Sequence, residues 1–105
     1  TTLFRSMLYQ VRNMHNGYRP CPAGFRSWLE YWEHRTGLNA GLCHKRQPGC
    51  QQVSEDGAHV QLANANDGTW YIVPLCHFHN MQLGATMWVE DPLVPVTPNN
   101  PNILP

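Results

Sequence analysis

Four residues of this chain have the types and spacing to hold a metal ion: Cys43, Cys50, Cys76 and His79. Cys43 and Cys50 bracket the stretch HKRQPG, and Cys76 and His79 form a Cys-x-x-His pair. Zinc takes four soft or borderline ligands at the corners of a tetrahedron. Two ligands on a turn supply one edge. Two more in the first turn of a helix supply the opposite edge, because positions i and i+3 project to one side. The gap of six residues between Cys43 and Cys50 is wider than the spacing usual for such sites. His44 and His77, each beside a stronger candidate, are substitute ligands that point elsewhere on a regular element. Without a metal, the same thiols read as buried free cysteines or as a Cys43–Cys50 disulfide in an exported protein. Cys21 has no partner at metal spacing and reads as a small core residue.

These ligands need elements to position them, and the 25 residues between Cys50 and Cys76 must fold back on themselves. The segments AHVQLA and WYIVPL read as strands, joined by NANDG, whose residues tolerate positive φ. A hairpin over 58–75 with its turn at 64–68 is therefore expected. The stretch CHFHNMQL reads as a short helix stopped by Gly84, TMWVE as a further strand, and LVPV as a strand pairing beside it. Ahead of the ligands, CPAGFRSWLEYWEHRTG predicts a helix over 23–36. Its Phe25, Trp28, Leu29 and Trp32 share one apolar face, and Gly37 stands at the C-cap. That face is core, or else a platform on which bases stack. The segment from Asn39 to His59 is loop-like, with turn signals at Pro48-Gly49 and Asp56-Gly57.

Composition narrows the function classes. The chain has 105 residues and a formal net charge of zero, and Lys45 is its single lysine. Such a balance lacks the clustered positive charge that drives nonspecific phosphate binding. No apolar run reaches membrane-spanning length, so no membrane partner is expected. No secretory signal is legible at the N-terminus, and cysteines mixed with histidines fit metal binding in a reducing compartment. A cytoplasmic location follows as the expectation. Residues 1–6, TTLFRS, read as a translated sequencing-adapter scar ahead of Met7, and residues 98–105, rich in Pro and Asn, read as a loose tail. Residues 7–97 are then expected to form one small zinc domain.

The stretches CHKRQPGC, GAHV and WYIVPLCHFHN resemble the small bacterial and phage treble-clef zinc proteins related to the HNH (ββα-metal) endonucleases. The similarity covers about residues 38–96. It implies a small α+β fold in which the N-terminal aromatic helix precedes a treble clef of zinc knuckle, β-hairpin and short helix, around structural Zn²⁺. Within the nuclease pattern, His59 matches the general base and Asn80 the helix position that completes a catalytic metal site. Such a base activates water while a second divalent metal stabilises the leaving oxygen. The chain departs from the pattern at two places. Ala58 stands where a metal-binding carboxylate or imidazole belongs, and Tyr71 and Ile72 stand where an Asn should orient the base. With these departures a catalytic metal would keep roughly one protein ligand, a weak site for Mg²⁺. The resemblance thus implies a non-catalytic binding module from phage or mobile-element biology, with DNA or another protein as partner. A nuclease using His59 and a protein-binding inhibitor are the alternatives. His59 itself is either that base or a core histidine hydrogen-bonded beneath the knuckle. Glu55 and Asp56 lie close enough in sequence to reach a metal from the loop.

Overall fold

A computed structural model describes residues 7–14, 20–65 and 67–96, and these form a small α+β structure. The expected scar at 1–6 and the expected tail at 98–105 lie outside the described residues, as does Asn66 in the hairpin turn. The strands are β1 (Leu8–Asn13), β2 (Lys45–Arg46), β3 (Asp56–Leu62), β4 (Trp70–Leu75), β5 (Thr86–Glu90) and β6 (Val94–Val96). The helices are α1 (Trp28–Thr36) and α2 (His77–Asn80). One six-stranded sheet takes the order β2-β5-β1-β3-β4-β6, with every neighbouring pair antiparallel.

The hairpin of β3 and β4 forms where the alternating pattern predicts it, with Ala58 opposite Val73 and His59 opposite Ile72. It starts at Asp56 rather than at 58. Because side chains alternate across a strand, the hairpin feeds two cores. Ala58, Val60, Val73 and Leu75 face one side and pack with Val11, Met87, Val89, Cys43 and Cys76. Ile72 faces the other side and packs with Val94, Val96 and the aromatic residues of α1.

The helix predicted over 23–36 runs only from Trp28 to Thr36. Ser27 is its N-cap and accepts a hydrogen bond from the backbone N–H of Glu30, while residues 23–27 form turns, with the Phe25 N–H donating to the carbonyl of Pro22. A serine side chain that satisfies an otherwise orphaned N–H starts the helix there, five residues later than predicted. Gly37 ends it in the left-handed region at φ 74°, returning its N–H to Glu33. Trp28 and Trp32 are buried as the spacing requires, and Tyr31 joins them. The aromatic face is core.

α1 lies across β3, β4 and β6, and its approach to β3 depends on Gly57. A Cβ at that position would come within 2.7 Å of the Leu29 backbone nitrogen and of the Trp28 carbonyl carbon. Gly57 is thus the gap through which the first turn of α1 meets the sheet.

Two strands go beyond the pattern read from the sequence. β1 was not anticipated at all, yet it lies at the middle of the sheet between β5 and β3. β2 interrupts the segment expected to be loop and pairs with Val89 and Trp88 of β5.

Candidate metal centre

Cys43 and Cys50 arrive on a closed knuckle. The Cys43 N–H donates to the carbonyl of Gln52 at 2.7 Å, the Cys50 N–H to that of Lys45 at 3.0 Å, and Leu42 bridges to Val53. Arg46 ties this knuckle to β5. Its guanidinium donates to the carbonyls of Cys43 and Lys45 and pairs with the Glu90 carboxylate at 3.1 Å. The extended backbone at 42–45 also sorts neighbours by face. Cys43 points into the core that holds Cys76, whereas the His44 ring meets Trp32 edge to face at 5.3 Å.

Cys76 and His79 arrive from the end of β4. Cys76 is the N-cap of α2 rather than a member of its first turn, and its sulfur accepts from the His79 N–H at 3.5 Å. That capped turn places the His79 ring beside its own capping residue, with Nδ1 3.3 Å from the Cys76 sulfur. Across the site, Nδ1 is 3.7 Å from the Cys43 sulfur, and the sulfurs of Cys50 and Cys76 are 3.9 Å apart. One ligand atom from each of the four residues lies within 4.8 Å of all the others. Cys43, Cys50, Cys76 and His79 are therefore positioned to coordinate a metal ion.

The electrostatics suit that task. Burial pushes the Cys43 thiol up to about 11, so a cation is needed to hold it as thiolate at neutral pH. Cys50 goes the other way, lowered first by the Gln52 N–H that points at its sulfur at 3.4 Å. His79 sits below its ordinary value of 6.5, because of burial first and the Lys45 charge second. A neutral imidazole is the form that a metal binds. A cavity of about 320 Å³, lined by Cys50, Gln52, Glu55, Cys76, Phe78 and His79, opens beside the ligands.

The substitute ligands are engaged elsewhere. His44 places Nδ1 2.9 Å from the Glu90 carbonyl, and His77 places Nδ1 3.0 Å from the Asp56 carboxylate. Glu55 and Asp56 hold α2 instead of reaching a metal from the loop. Glu55 accepts from the His77 N–H, and Asp56 accepts from the Asn80 amide at 3.0 Å. His59 faces α1, with its ring edge to face on Trp28 at 4.9 Å and on Trp70 at 6.2 Å, and its Nε2 is buried. Cys21 is half-buried against the aromatic core and donates its thiol to the Phe25 carbonyl.

Sequence reasoning found the four residues that converge but missed the groups around them: the Arg46 tether, the Gln52 N–H and the Lys45 charge. The knuckle's own hydrogen bonds are backbone bonds, for which residue type carries no signal. No family model matches the chain, and neither a curated protein nor a solved structure shows significant similarity to it.

Proposed function

We propose that this protein is a zinc-stabilised binding module of the treble-clef, HNH-like type, in which Cys43, Cys50, Cys76 and His79 hold a structural Zn²⁺. The observation that carries this reading is the convergence of three thiols and one imidazole, drawn from two segments 25 residues apart, within 4.8 Å. A tetrahedral site with Zn–S near 2.3 Å and Zn–N near 2.1 Å has S–N edges of about 3.6 Å and S–S edges of about 3.8 Å. The contacts of 3.3, 3.7 and 3.9 Å match that scale. Soft thiolates with one imidazole select zinc over hard cations such as Mg²⁺. With four protein ligands the ion has no open position, so its role is structural.

As to partner, exposed apolar side chains cluster in sequence at the metal end: Phe78, Met81 and Leu83, each about half exposed or more. With zero net charge and one lysine, these favour a protein partner over nucleic acid. The tryptophans do not contribute a comparable patch, since Trp28 and Trp32 are buried and only Trp88 is exposed.

A nuclease reading has one specific observation behind it. His77 and Asn80 both meet one oxygen of Asp56 at 3.0 Å, beside a cavity of about 360 Å³ that Glu55 and Arg26 also line. His59, the residue matched to the general base, lies under α1 between two indoles instead.

Metal analysis of the purified chain tests the first reading: one zinc per chain, lost in Cys43→Ser with Cys76→Ser, is the expected result. Divalent-metal-dependent nicking of DNA that vanishes in His59→Ala or Asp56→Asn would favour the nuclease.

A further inference from the structure

Asn13 ends β1 at the middle of the sheet and is 1% exposed. It pairs with Val60 of β3, whose side chain packs in the same core as Cys43 and Cys76. A buried carboxamide has two N–H bonds that need acceptors. The Asn13 Nδ2 lies 3.2 Å from the carbonyl oxygen of His79, 2.7 Å from that of Asn80 and 3.1 Å from that of Gln82. Carbonyls only accept, so the nitrogen end of the amide must face them. The main chain of the same residue grips the same segment. Its N–H donates to the Ala85 carbonyl at 2.9 Å, and its carbonyl accepts from Gly84 at 2.8 Å.

The segment held in this way carries a ligand. α2 has four residues; local N–H groups reach the carbonyls of His79 (from Gln82, 3.2 Å) and Gln82 (from Ala85, 3.1 Å), and Asn13 ties the same exit to the sheet. His79 presents Nδ1 to two cysteine sulfurs from that exit. Where its ring lies depends on where its backbone is pinned. We infer that Asn13 is a positioning residue for the metal centre: by clamping the carbonyls of 79, 80 and 82, it holds His79 in ligating position and slows the loss of the ion. The inference rests on the metal-binding reading above and adds to it a residue 66 positions away in sequence. Asn13 acts through His79 and touches none of the ligand atoms.

The full chain, loaded with zinc or with Co²⁺ as a spectroscopic probe, carries the test. Asn13→Ala is compared with Ile72→Val, a change in the core on the opposite face of the sheet. Each variant is held at the same margin below its own melting temperature while a chromophoric chelator removes the zinc. Asn13→Ala is expected to release zinc about tenfold faster than the wild type and to shift the Co²⁺ ligand-field bands, with Ile72→Val within about twofold of the wild type. Release at the wild-type rate with unchanged bands, or equal acceleration in both variants, overturns the inference. If Asn13→Ala does not fold, Asn13→Ser, which keeps one donor, is expected to accelerate release by a smaller factor, and a wild-type rate there overturns it too. A wild-type chain with no bound metal removes the metal-binding reading, and this inference with it.

Discussion

Cys76 both caps α2 and faces Cys43, Cys50 and His79, so one sulfur would serve helix and metal together. Cys76→Ser is expected to lose the metal and to destabilise the fold by more than about 4 kcal/mol, among the largest effects of a single substitution. Cys21→Ser is the contrast. A hydroxyl can make the same bond to the Phe25 carbonyl, and the cost should stay under about 1 kcal/mol. Urea titrations of both variants measure the difference. Titration adds a second expectation for the metal-free chain. The folded-state value of His79 lies below its ordinary 6.5, so the unfolded chain binds the proton more readily. Its contribution to stability is full above about 6.5 and is lost as pH falls through the depressed folded value. Cys43, raised from 9.0 to about 11, favours folding below 9 and loses that advantage as pH rises toward 11. Cys50, whose value is lowered, opposes Cys43 on the alkaline side, so the expectation lies on the acid side: the melting temperature of the chelated protein should fall as pH drops below about 6.5, with His79→Gln flattening that limb. At this scale the four converging residues were legible because thiol and imidazole chemistry belongs to residue type. The surroundings of His59 were not, because they depend on which face of β3 α1 covers.

The two helices differ in how much of them local sequence determines. α1 has an apolar face, a serine cap and a C-cap glycine, and most of it could be read; its start lies later than the spacing predicts because the Ser27 side chain accepts the Glu30 N–H. Its docking could not be read, since nothing local says that Gly57 faces a helix backbone. Gly57→Ala sets a methyl group 2.7 Å from main-chain atoms of α1, which cannot move as a side-chain end would. The expected cost is about 3 kcal/mol, at the upper end for overpacking, with a drop in melting temperature and looser near-ultraviolet signals from Trp28 and Trp32. An alanine variant as stable as the wild type would contradict this packing. β1 was missed for a different reason. LYQVRN mixes Leu, Tyr and Val with Gln, Arg and Asn over six residues, a short pattern whose meaning comes from its partners. Once it lies between β3 and β5, Val11 turns inward and Asn13 follows it to the metal side of the sheet.

Across the described residues, the sheet separates two cores, and the cluster of Cys43, Cys50, Cys76 and His79 lies at the one that α1 does not cover. The segment from 38 to 57 holds three glycines, three glutamines and several charged residues and has few aliphatic side chains to bury. Short backbone bonds and Arg46 shape it, Glu55 and Asp56 bind its end to α2, and Cys43 and Cys50 meet Cys76 and His79 across the core. Small domains with thin cores often rely on such a staple. Structural zinc sites supply apparent energies of about 10–16 kcal/mol, as large as the whole stability of a typical domain, about 5–15 kcal/mol. Thermal melting of the purified chain with and without a strong chelator, alongside metal analysis, therefore tests the central claim most directly. The account predicts one zinc per chain and a melting transition that collapses or drops steeply once the zinc is removed. A folded protein that purifies without metal, or one whose melting temperature is unchanged after complete metal removal, would contradict it.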